Sequence, residues 1–131
     1  MHTPSNFPFI DRSYDDAMVL LTETRKYVAV QNSSANDNGD PLDRFFITTE
    51  TSRLVSHLTN AMSWILWHKA ANLGEISTAK AQSMGEKHLA TKNFSPRQNA
   101  FQVDLPQILE SLIGRTELLH NRVSRLSQMV H

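Results

Sequence analysis

Apolar residues recur at three- and four-residue steps in three separate stretches of the chain, and no stretch alternates apolar with polar residues for long. The pattern predicts an all-α protein. The first stretch runs from about Asp11 or Ser13 to Gln31. It places Tyr14, Ala17, Met18, Leu21 and Val28 on one side, with Asp15 and Asp16 near the positive end of the helix dipole. The second begins near Asp43, carries Ile47, Leu54, Leu58, Ala61 and Ile65 on a narrow stripe, and stops at Gly74, which tolerates a left-handed cap. The third is the clearest. Asp104 followed by Gln107, with Pro106 in the first turn, starts a helix in which Leu105, Leu109, Leu112, Thr116, Leu119, Val123, Leu126 and Val130 alternate four- and three-residue steps.

A seam of this kind packs against near-parallel or antiparallel neighbours. The predicted core is therefore Leu54, Leu58, Ile65, Leu109, Leu112, Leu119, Val123 and Leu126. A weaker segment from Ser77 to about Leu89, with Ser77 as its cap and Gly85 inside it, predicts a short extra helix. Turn-forming residues mark two loops, about 32–42 and 90–103, the second with Phe94 and Phe101 available to pin it to the core. The predicted architecture is an antiparallel three-helix bundle of long helices plus the short helix, forming a single domain over 1–131.

The second helix carries more apolar surface than one stripe. Met62 and Leu66 widen the seam on one side, while Trp64, Trp67 and Ala71 fall a quarter-turn or more away on the other, at about 100° per residue. Such a helix either sits at the centre of its bundle or buries one face against another chain. Three long helices do not easily enclose it. Trp64, Trp67 and Ala71 thus become candidates for a dimer or partner interface, and a homodimer is the expected assembly.

Charge and composition narrow the function. Thirteen Lys and Arg balance thirteen Asp and Glu, so no net field draws the chain to nucleic acid or an anionic membrane. The absence of cysteine excludes disulfides, thiolate metal sites and cysteine nucleophiles. The first residues lack a secretory pattern, and the apolar run from Ala61 to Trp67 falls far short of the roughly 20 residues a membrane span requires. The expectation is a cytoplasmic protein with no membrane partner.

Candidate chemistry is sparse. Glu117 and His120 stand three apart, as in di-iron bundles, but the required second pair is missing and Leu119 is the seam residue; a solvated flank is expected instead. His57, His68 and His88 have no His or Cys partner at ligand spacing. Phosphotransfer from a helical histidine is disfavoured by the neighbours of His68 and His57. No phosphate loop or nucleophile elbow appears, so neither catalysis nor a cofactor is expected. Arg115, Arg122 and Arg125 line one flank of the last helix, with Glu110 and Glu117 on the other. This favours orientation-specific helix pairing and makes the arginine flank a candidate partner surface. A small DNA- or ligand-binding regulator is the alternative, although the segment from Gly74 to Leu89 is too weakly basic for a recognition helix.

Three blocks carry a family resemblance: SYDDAMVLLTETRKYVA at 13–29, ETSRLVSHLTNAMSWILWHKAANLGEIS at 50–77, and LPQILESLIGRTELLHNRVSRL at 105–126. Together they resemble the regulator-of-CtrA-degradation family of alphaproteobacteria. The most specific part is Ser63-Trp64, the Lys69-Ala70-Ala71 step and Gly74-Glu75. The resemblance implies a dimeric antiparallel three-helix bundle that acts as a non-enzymatic adaptor for the ClpXP protease. It also implies protein partners: the ClpX unfoldase or an associated response regulator, and cell-cycle regulators as cargo. The location implied is cytoplasmic, with recruitment to a cell pole. No functional residue transfers from the family. The sequence stops at His131, just past the last helix, so a mechanism that needs a long polar tail is not expected here.

Overall fold

Asp40, Ser77 and Gly74 punctuate the chain where its helices begin and end. A computed structural model of the protein describes residues 7–33, 40–90 and 105–129, and among these it contains four α-helices and no strand. The helices are α1 (Phe7–Ser33), α2 (Pro41–Asn72), α3 (Thr78–Ala90) and α4 (Gln107–Met129). The proposed pinning residues Phe94 and Phe101, the start at Asp104 and the last seam position Val130 lie outside the described residues, as do 34–39 of the first loop.

The caps follow from side-chain chemistry. The Asp40 carboxylate accepts the Leu42 backbone N–H at 3.0 Å, and Pro41 takes a first-turn position whose missing N–H costs nothing. Ser77 Oγ accepts the Lys80 N–H at 3.0 Å and so opens α3. At the end of α2, Gly74 adopts φ 80°, which lets its N–H reach the Ala71 carbonyl and the Glu75 N–H reach that of Ala70.

Cross-helix pairs set the directions. Lys69 near the end of α2 bonds Asp11 near the start of α1 at 2.7 Å, and Tyr27 late in α1 is hydrogen-bonded to Thr51 early in α2. Arg115 meets Glu23 and, one heptad on, Arg122 meets Asp16. Helix α1 therefore runs antiparallel to both α2 and α4, which run parallel to each other. The fold is an all-α bundle of three long helices with α3 turned back along α2.

Burial along the seam is nearly complete. Leu54, Leu58, Ile65, Leu109, Leu112, Leu119, Val123 and Leu126 are all buried, together with Ile10, Ala17 and Leu20 from α1. Each such aliphatic side chain contributes about 1.5–3 kcal/mol relative to exposure. Two expectations for α1 need correction. It begins at Phe7 rather than near Asp11 or Ser13, because burying Ile10 extends the stripe one turn upstream. Its buried face also centres on Ile10, Ser13, Ala17, Leu20 and Thr24, leaving Met18 exposed. Counting apolar residues rotated the face because Ser13 and Thr24 are polar yet enclosed. Among the described residues no helix is long and apolar enough to cross a membrane.

Candidate functional site

The outer seam between α1 and α4 combines charge with exposed apolar side chains. The Arg115 guanidinium meets Glu23 through two bonds of 2.7 and 2.9 Å, and Arg122 meets Asp16 at 2.6 Å. The four side chains remain between a third and a half exposed, so solvent screens both pairs. The hydrogen bond from Arg115 holds the Glu23 carboxyl below its ordinary range, and the same bond raises Arg115. Arg115 and Arg122 stand two helical turns apart, about 10 Å. Between them lies a shallow pocket of about 220 Å³ whose apolar floor is Val19, Leu20, Leu118 and Leu119.

A second pocket of about 230 Å³ continues past Arg115 toward Ile108 and Ser111. Val19, Leu118 and Ile108 are more than half exposed, so the groove presents apolar surface. Negative charge sits on its α1 wall and positive charge on its α4 wall. Arg125, the third arginine of the flank, is exposed. Leu118 keeps three- and four-residue spacing with Arg115 and Arg122, and Ile108 stands one heptad before Arg115, so all four share the α4 wall of the groove although the sequence reading singles out only the arginines. The partners on α1 were not legible along the chain.

The tryptophan face is arranged differently from the expectation. Trp64 is wholly buried within the protomer, so it is removed from the candidate interface as a surface residue. The helix that covers it is α3, whose Gly85 comes so near that a Cβ there would stand 2.8 Å from Trp64 Cδ1. Gly85 and sparse apolar content make this helix weak by sequence alone, yet the missing side chain at Gly85 is what permits the close approach. Trp67 and Ala71 remain partly exposed beside it. The His68 ring stacks on Trp64 with centroids 4.1 Å apart, and burial pushes its pKa down from the ordinary histidine value.

His57 and His68 are buried, out of reach of a partner enzyme. His120 was expected on a solvated flank; it is instead buried and meets His57 edge-on at a centroid distance of 6.0 Å, while Glu117 faces solvent. The reason is that α4 buries the position beside its seam as well, at Ile113, His120 and Ser127, because α1 and α2 flank it on both sides. Burial lowers the His120 pKa. Among the described residues no group of three or more His, Cys, Asp or Glu could hold a metal ion.

These features define an all-helical bundle with a bipolar groove between α1 and α4. The chain belongs to the family described as "Protein of unknown function (DUF1465)", the RcdA family, whose model matches residues 4–131. Among solved structures it is similar to RcdA from Caulobacter crescentus CB15, with 26% sequence identity and a TM-score of 0.68 over 93% of this chain and 90% of that one. No curated protein matches the sequence.

Proposed function

We propose that the protein is a non-enzymatic adaptor that delivers cell-cycle regulatory proteins to the ClpXP protease. The observation that carries this reading is the likeness to RcdA along almost the whole of both chains. Its partners are the ClpX unfoldase or an associated response regulator, together with the cargo, and it acts by raising local concentration rather than by chemistry. It works as a homodimer, as an antiparallel bundle in the cytoplasm with recruitment to a cell pole.

The α1–α4 groove suits the dimer contact. A two-fold axis parallel to the helices sets α1 of one copy over α4 of the other, so the Asp16 and Glu23 wall meets the Arg115 and Arg122 wall, with Val19 and Leu118 between. A two-fold across the helices would oppose like charges. The alternative of a DNA-binding regulator would rest on the arginine flank, and two of its three arginines are already engaged by α1 carboxylates.

The test is reconstituted proteolysis of a response-regulator substrate by ClpXP, with and without the protein. Acceleration that disappears when the protein is omitted is expected. Equal rates, together with no binding to ClpX or its associated response regulator, overturn the adaptor reading. Salt-sensitive binding to duplex DNA would favour the regulator instead. Sedimentation of the wild type and of a Val19→Glu, Leu118→Glu double variant tests the contact: a dimer that becomes a folded monomer is expected, and an unchanged dimer removes this face from the interface.

A further inference from the structure

We propose that α3 is an acid-released clasp, closed over Trp64 at neutral pH and lifted by protonation of His68 to uncover a helix face made of Trp64, Trp67 and Ala71. The first support is connectivity. Helix α3 packs chiefly on α2, touches α4 only slightly, and has no substantial contact with α1 among the described residues. It hangs from α2 by the turn at residues 73–77, where Gly74 takes positive φ. It can therefore leave while the seam from Leu54 to Leu126 stays packed.

The second support is the chemistry beneath the clasp. Trp64 Nε1 and His68 Nε2 are both buried without a hydrogen-bond partner, and both lie 3.3 Å from the point where a Gly85 Cβ would stand. Indole nitrogen is a donor and never an acceptor. A neutral imidazole that leaves Nε2 bare is compatible with that neighbour. Placing a proton on Nε2 sets a second donor, and a charge, in a buried spot where Nε2 has no hydrogen-bond partner. The stacking contact of 4.1 Å lies within α2 and persists whether or not α3 is down, whereas the Gly85 approach closes over the two rings only while α3 is down.

The surrounding charges do not rescue it. Glu86 of α3 favours the protonated form, but burial outweighs it. Elsewhere on α3, Lys80 and Lys87 are exposed and His88 is half-buried. From α1, Asp11 is bonded to Lys69, the neighbour of His68 on α2. From α4, Arg125 points to solvent and is the last charged side chain among the described residues. Lifting α3 returns His68 to water, where the proton is held freely.

The experiment uses the full chain with Trp67→Phe, so that Trp64 reports alone. As the pH falls from about 7.5 to about 5, acrylamide quenching of Trp64 is expected to rise about threefold, with faster amide exchange in residues 78–90 and unchanged exchange along the seam. His68→Gln, which keeps a polar ring-sized group but does not titrate, should stay closed over the same range. Three results would each overturn the clasp: no rise in quenching, the same rise in His68→Gln, or exposure of Trp64 that coincides with loss of protection in α4. Should His68→Gln fail to fold, the exchange pattern of the unmodified protein decides alone.

Discussion

Gly85 lies under Trp64 so closely that the indole Cδ1 occupies a position 2.8 Å from where a glycine Cβ would be. Among the described residues, that contact joins the shortest helix to the aromatic face of the longest one. Gly114, in the middle of α4, has nothing within 4 Å of the corresponding position. The same substitution at the two sites should therefore have opposite signs. Gly85→Ala overpacks the α2–α3 contact and is expected to cost about 1–3 kcal/mol. Gly114→Ala is expected to stabilise by about 0.5–1 kcal/mol, because alanine loses less backbone freedom in a helix. Urea unfolding of the two variants checks both signs.

Leu58 is fully buried at the centre of the bundle, whereas Leu118 is 66% exposed. Leu58→Ala should lose about 2–5 kcal/mol through lost burial and an unfilled cavity. Leu118→Ala should change monomer stability by less than about 0.5 kcal/mol while weakening any association through the groove. Denaturant midpoints at a concentration where the protein is monomeric separate the two. Equal losses would contradict the placement of the α4 seam.

The Arg122–Asp16 pair is partly exposed on both sides, so its coupling should amount to about 0–1 kcal/mol and shrink with salt. A double-mutant cycle with Arg122→Ala and Asp16→Ala at low and high salt measures it. Its larger consequence is register. Swapping the charges at both positions should restore the wild-type melting temperature, while either reversal alone should lower it.

Buried histidines set the acid side of the stability profile. His68 and His120 both titrate below the ordinary value of 6.5, burial being the first cause. As pH falls below 6.5 the unfolded chain takes up protons that the folded chain refuses, so stability is full above that point and declines toward the folded pKa values. Glu23 acts lower: its contribution is present above the ordinary carboxyl value of 4.5 and is lost as pH falls through its depressed folded value. Unfolding midpoints should drop between about pH 7 and pH 5, and His120→Gln should flatten part of that drop. A profile level across that range in the wild type would show that these histidines titrate normally.

Much of the architecture was readable along the chain. Repeats of three and four residues mark helices because they report only on local geometry, and the caps at Ser77 and Gly74 act through bonds to near neighbours, whereas the Asp40 cap starts α2 at Pro41 rather than near Asp43. The seam on α4 was readable for the same reason. Face assignments failed where burial and hydrophobicity part company: Ser13 and Thr24 turn the buried side of α1, and His120 lies inside although its sequence neighbours suggested a solvated flank.

What the chain's pattern determined is therefore a set of helices, the caps at Ser77 and Gly74, and one long apolar seam. Tertiary structure alone decided which charges meet, because Arg115 and Glu23 are 92 residues apart and Arg122 and Asp16 are 106 apart, and no local rule reaches that far. It also decided that Trp64 is covered by its own chain. An apolar face records only that something must bury it. The identity of the cover depends on shape, and here a glycine with no side chain supplied the fit.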